Sequence, residues 1–235
     1  IKRRILSATP TWGMNLGRPR ATPTLNRKFE SEVALIDFSG DGSKVFFLPN
    51  FLIFRMLGED TRRTQSHIWD TSGGDLKVSH LWLIHLHSMG YLRGCDDSEF
   101  IFLVEDWIRA NPIFKTNYWH ASWNTYALSI RIFVWITEYA RRPAIRDKLG
   151  RSFESSVFQQ VEFLVRNLEL DLRGNHLIKN IRTLLWCSWF FDDECSKRWR
   201  QVGSKLLRKE LETQVLGDGM HFERTPSYHN EVLSD

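Results

Sequence analysis

Hydrophobic and polar positions change rhythm twice along the chain. Residues 1 to about 32 carry Arg, Pro, Thr and Gly without a sustained period, which predicts an extended N-terminal arm. Apolar runs over 34–38 and 45–48 then flank Ser39-Gly40-Asp41-Gly42-Ser43, the pattern of a short β-hairpin. From about residue 77 the period becomes helical. Residues 99–111 place Phe100, Leu103, Val104, Trp107 and Ile108 on one face, and Asn111-Pro112 ends the run because proline cannot continue the ladder. Ser122 is the expected N-cap of the next helix, which runs to about residue 139 with Tyr126, Ile130, Phe133, Val134 and Thr137 inward, before Arg141-Arg142-Pro143 stops it. Further helices are expected over about 155–170, 175–191 and 196–215, the last closed by Gly217 and Gly219, with Pro226 in a favoured first-turn position.

Successive helices joined by short loops predict a mainly all-α fold of antiparallel helical hairpins, either a bundle or an incomplete α/α toroid. No repeat of fixed period argues for a solenoid of identical units. The division expected is residues 1–75 for the arm and hairpin, and residues 76–235 for the helical domain.

Bulk composition narrows the function classes. The chain has 235 residues, 42% hydrophobic and 26% charged, as in an ordinary globular protein. The net charge of +4 is spread in short clusters such as Lys2-Arg3-Arg4 and Arg141-Arg142, not in a basic stripe, so nucleic acid is not an expected partner. A mild positive field suits an anionic ligand. No apolar run has the length of a membrane span. Three cysteines, Cys95, Cys187 and Cys195, form neither a disulfide framework nor a CxxC zinc pattern. The Gly40-Asp41-Gly42 turn lacks the Lys-Ser/Thr pair and following helix of a phosphate loop. His80, His85 and His87 lie near one another, but His85 and His87 fall on different helix faces and no acidic cluster is close, so no metal and no other cofactor is expected. Ten Trp and sixteen Phe suit helix packing, and some could serve as platforms for sugar rings.

Three polar segments fall at helix starts: residues 119–126, residues 173–176 and residues 221–229. Read singly, Asn175 is a helix cap, His176 a half-buried packing residue and Tyr228 an interface aromatic. In a ring of hairpins, starts of alternate helices gather at one rim, so the three segments can converge.

Gly174-Asn175-His176-Leu177, an apolar helix, and then Asp218-Gly219-Met220-His221-Phe222-Glu223-Arg224-Thr225-Pro226-Ser227-Tyr228-His229 resemble the heparinase II/III-type polysaccharide lyases. Their helical domain carries a GNHL element and a GxHxERSPxYH element at similar separation. Residues 123–132 and 85–91 are similar to segments upstream of these, and the resemblance covers about residues 80–235. Thr225 replaces the usual Ser and Met220 the usual Gly.

That resemblance implies an α/α toroid and β-elimination on an anionic, uronic-acid-containing polysaccharide, a description that heparan-like, alginate-like and bacterial surface polymers all meet. It implies Asn175 as the donor that neutralises the carboxylate, His176 as a second donor, and Tyr228 as the proton-transfer group. His221, Arg224 and His229 become candidates for orienting Tyr228 or binding acidic groups, and Glu223 a partner for Arg224. Trp123 and Asn124 become candidate sugar contacts, with helix packing the alternative. It further implies a C-terminal β-sheet domain supplying another His, weak or no activity from residues 1–235 alone, and a periplasmic or secreted setting. The alternative is a non-catalytic saccharide-binding or assembly module on the same helices.

Overall fold

The computed structural model describes residues 23–33, 36, 42–70, 78–115, 117–171 and 174–235. Among the described residues, eight α-helices and one small antiparallel sheet follow one another in the order α1 (Arg27–Val33), β1 (Lys44–Leu48), β2 (Phe51–Met56), β3 (Glu59–Thr64), α2 (His80–Ser88), α3 (Asp97–Ala110), α4 (Thr125–Arg141), α5 (Pro143–Arg166), α6 (Gly174–Phe190), α7 (Glu194–Gln214) and α8 (Pro226–Ser234). The architecture is mainly helical. No helix among the described residues is long and apolar enough to cross a membrane.

The first arm of the expected hairpin, residues 34–38, lies almost wholly outside the described residues. Its second arm is β1, which pairs with β2 in the register Val45 to Phe54 and Leu48 to Phe51, and β2 in turn pairs with β3. The β2–β3 turn is Leu57-Gly58, both at positive φ, the two-residue connection whose twist matches the strands. Within the stretch read as an extended arm, residues 23–33 are docked. Leu25 bridges Phe191, and Phe29, fully buried, meets Trp189 and Phe190 edge-on. Phe54 of β2 lies against Trp82 and Tyr91, so the described part of residues 1–75 shares one core with the helices.

Helix boundaries follow local chemistry. Asp96 accepts from Glu99 N at 2.9 Å while Glu99 Oε2 accepts from Asp96 N at 3.0 Å, a capping box that starts α3. Asp193 and Ser196 start α7 in the same way. The cap of α4 is Asn124, not Ser122. Asn124 Oδ1 accepts from Tyr126 N and Ala127 N, whereas the Ser122 hydroxyl donates backward to Tyr118 O at 3.2 Å. Pro143 both ends α4 and opens α5, because its fixed φ suits a first helical turn. Gly150, at φ 47°, breaks α5 into two segments, so the helix expected over 155–170 is the second half of a longer one.

The centre is α4, which is buried on nearly every side and packs against α1, α2, α5 and α6. Trp135 and Tyr139 of α4 meet Phe153 of α5, the latter pair stacked at 4.6 Å. Truncating a fully buried aromatic in such packing to Ala costs about 3–5 kcal/mol. Arg131, fully buried on α4, donates to Gln160 Oε1 (2.9 Å), His87 O (2.7 Å) and Ser122 O (3.0 Å), with its guanidinium 3.8 Å from the Trp107 ring centroid. Burial pulls its pKa well down, yet what faces it are acceptors and an aromatic face, as a cation requires.

Candidate functional site

The GNHL segment opens α6. Gly174 sits at φ +58°, a left-handed conformation that a side chain would strain, and this turn sets Asn175 and His176 in the first helical turn. Backbone N–H groups there have no intrahelical acceptor and carry the positive end of the helix dipole. Asn175 is half-buried. The His176 ring lies against Tyr126 of α4, with centroids 4.4 Å apart, and its Nδ1 is 3.4 Å from Glu169 Oε2. The geometry falls short of a hydrogen bond, but it places a buried carboxylate where it would hold a protonated ring. Glu169 sits in the loop before α6, where no apolar period marks it. Its backbone N–H donates to Asn180 Oδ1 at 3.0 Å, which ties that loop to α6.

The second motif folds back onto this turn. After α7 the chain makes a compact loop in which Val215 bridges His221, Leu216 N donates to Met220 O, and Phe222 N donates to Gln214 O. Arg224, at φ 53°, then turns the chain into α8. A Cβ added to Gly174 would lie 3.5 Å from Glu223 Oε1. Glu223 therefore sits over the start of α6, where a negative charge is favourable. This differs from the expected pairing: no ion pair joins Glu223 to Arg224 among the described residues, and the Arg224 side chain is exposed.

His221 is buried rather than presented to a ligand. Its Nε2 is 2.9 Å from Gln214 Oε1, and Glu223 N donates to its Nδ1 at 3.4 Å, so the proton sits on Nε2. Gln214 Nε2 donates in turn to the buried Glu210 Oε2 at 2.8 Å. Both ring nitrogens of His221 are thus used inside the loop. His229 Nδ1 accepts from His221 N at 3.3 Å. Tyr228 lies on α8, in the turn that follows Pro226. That helix is fixed to α6 by Asp235, whose buried carboxylate accepts from Lys179 Nζ (2.9 and 3.1 Å) and from Arg182 Nη1.

Trp123 also departs from expectation as a sugar contact. It is 3% exposed, its indole N–H donates to Asn111 O at 3.0 Å, and Phe163 meets it edge-on at 5.2 Å. Asn124 spends its carbonyl oxygen on the α4 cap. Next to them, Trp119 is half-buried, and its Nε1 has no hydrogen-bond partner among the described residues. The structure therefore brings the turn of Asn175 and His176 together with Glu223 of the 221–229 segment, and Trp119 is the more open of the two indoles.

Comparisons with known proteins bear on the family and the fold. The sequence profile described as Heparinase II/III N-terminus matches residues 94–235. A heparin-sulfate lyase of Pedobacter heparinus is 29% identical over 136 residues, covering 56% of this chain and 20% of the relative. One from Bacteroides thetaiotaomicron is 26% identical over 180 residues, covering 71% of this chain and 26% of the relative. Among solved structures, a heparan sulfate lyase mutant from Pedobacter heparinus superposes with a TM-score of 0.61 at 21% identity, over 88% of this chain and 33% of its own. A crystal structure of heparinase III gives 0.59 at 20% identity, over 98% and 36%. The chain thus spans about a quarter or less of the length of these curated relatives and about a third of these solved chains.

Proposed function

The chain belongs to the Heparinase II/III N-terminus family, and from that premise we propose that it is the helical part of a polysaccharide lyase acting on a uronic-acid polymer by β-elimination. The helices are read as an incomplete α/α toroid whose rim carries the site. One observation carries the reading: Glu223 lies against Gly174, so the two distant motifs fold onto each other at the start of α6.

The chemistry asks for two things. The proton on C5 is weakly acidic because the adjacent ionised carboxylate resists more negative charge. An uncharged amide donor on that carboxylate, the role of Asn175, stabilises the enolate as it develops without competing for the proton. Tyr228, as phenolate, takes the C5 proton; the electron pair forms the C4–C5 double bond, and the C4–O bond breaks. The phenol so formed can protonate the departing oxygen. His176, held between Tyr126 and Glu169, supplies a second donor, and the exposed guanidinium of Arg224 suits a carboxylate or sulfo group. His221 holds the loop that carries Glu223 and leads to Tyr228. A further domain beyond these residues would complete the cleft.

The test uses the full-length protein and follows ultraviolet absorbance of the unsaturated uronate product. Asn175→Ala is expected to lower kcat by about 10²–10³-fold, and Tyr228→Phe by about 10²–10⁴-fold. Undiminished turnover in Tyr228→Phe would sink the proton-transfer role. Saccharide binding without any unsaturated product from the unmodified protein would make it a binding module instead.

A further inference from the structure

A cavity of about 370 Å³ lies between α2 and residues 111–122, away from Asn175. Its size is that of a small-ligand pocket. The described lining includes His87, Asn111, Lys115, Asn117, Trp119 and His120, and no Asp or Glu.

Two features give it a sign. Lys115 carries a full charge whose hydrogen bond goes to a backbone carbonyl, Ala110 O at 3.0 Å, so no carboxylate among the described residues neutralises it. His87 is 99% buried and accepts from Trp107 Nε1 on its Nδ1 at 3.1 Å, which puts its proton on Nε2. Nε2 has no protein partner among the described residues, and the cavity is the open space this side chain borders. Burial and the nearby cations Arg131, Lys115 and Arg63 hold its pKa well below the ordinary imidazole value, so the ring is a neutral donor. Trp119 adds a flat apolar face to the lining, its unpartnered indole N–H being shielded from solvent. Asp106, which holds the lining residue Trp69, is already engaged: it accepts from Trp69 Nε1 at 2.7 Å and from Arg109.

A chain of neighbouring residues links the cavity to the site. Trp119 lines both it and a smaller cavity shared with Asn124 and Thr125. Asn124 caps α4, and Tyr126 in the first turn of α4 lies against His176. A polymer crossing Asn175 would reach Trp119 along this rim.

We propose that the cavity between α2 and residues 111–122 is a subsite for an anionic sugar unit, in which Lys115 and His87 receive a carboxylate or sulfo group of the polymer that crosses Asn175 and the Trp119 ring lies against the sugar. The assignment rests on the lyase reading and names the feature of the substrate that this rim selects. His87 Nε2 is unfilled, whereas an ordinary buried polar group is paired.

Binding separates the two claims. Full-length Tyr228→Phe protein, which should not consume its ligand, is titrated with size-matched uronic-acid oligosaccharides in three forms: sulfated, desulfated, and desulfated with reduced carboxyls. Lys115→Met is then added; Lys115 is exposed, so the fold should be unaffected. A loss of about three- to tenfold confined to the sulfated form assigns a sulfo group. The same loss on both acidic forms, but not on the reduced one, assigns the carboxylate. Trp119→Ala, checked by thermal unfolding, should weaken all three forms. Unchanged affinity in both variants, or a Lys115→Met loss equal on all three forms, overturns the subsite. Absence of binding by any form of the protein would instead defeat the lyase reading itself.

Discussion

His221→Phe separates a positioning role from a substrate contact. The substitution keeps a planar ring in a site that is 1% exposed and removes both ring nitrogens. Gln214 Oε1, 2.9 Å from Nε2, then loses its donor. The Gln214 amide cannot turn over to compensate, because its Nε2 is held by Glu210 Oε2 at 2.8 Å. The contact from Glu223 N to Nδ1, at 3.4 Å, is near the limit of a hydrogen bond and adds little. One orphaned buried acceptor costs about 1–3 kcal/mol, which for a cooperative unit of this size lowers Tm by about 2–12 °C. The same loop places Glu223 over Gly174 and leads to Tyr228. A displacement of about 1 Å at a reacting group is worth roughly 10²-fold in rate, so kcat should fall with little change in KM. The assay pairs thermal unfolding with product absorbance on the full-length protein. A variant with unchanged Tm and a KM raised several-fold would refute the reasoning and return His221 to the substrate.

Other consequences follow from the same geometry. Gly174→Ala puts a side chain at φ +58° and should cost about 1–2 kcal/mol, with a drop in kcat/KM larger than that of a control substitution of equal Tm. Cys95 and Cys187 are buried and burial pushes their thiols up, Cys95 to about 12, so a disulfide-exchange reagent at neutral pH should label neither in the native state. Cys195, half-buried and also raised, should react first, more slowly than a free cysteine. His87, held below the ordinary 6.5, stays neutral in the fold while the unfolded chain takes up a proton. Its contribution to stability is therefore present above pH 6.5 and is lost as pH falls toward the lowered value. An NMR titration showing the His87 ring half-protonated near pH 6.5 would contradict its burial.

Much of the helical part was legible because local signals agreed. Asn111-Pro112 and the apolar face of residues 100–108 marked α3 to within two residues at either end. The cap of α4 was misplaced because Ser122 and Asn124 are both good caps, and only the bond from Ser122 to Tyr118 O decides between them. The first half of α5 was missed because Pro143 reads as a stop, and Arg146, Asp147, Lys148 and Arg151 dilute the apolar period. β3, Glu59–Thr64, has almost no apolar alternation, so the meander shows only through its pairing with β2. In the site, the motifs identified Asn175 and the 221–229 segment. Burial of His221 depends on Gln214, seven residues earlier across a turn, and the recruitment of Lys115 depends on a loop without periodicity. Neither relation has a sequence signature.

Arg131 spends one of its amino groups on His87 O and Ser122 O, the backbones of two residues that wall the rim cavity. A charge in that position is out of reach of dissolved ions, whereas Lys115 is not. The anionic pull of the cavity should therefore have two components with different responses to salt. The Lys115 part would fade as ionic strength rises past the point where surface pairs vanish, and the Arg131 part would persist as a floor. Affinity plotted against the logarithm of salt concentration would then bend to a plateau instead of falling in a straight line. On the proposed reading, a bound polymer would then be held in a briny medium as well as in a dilute one.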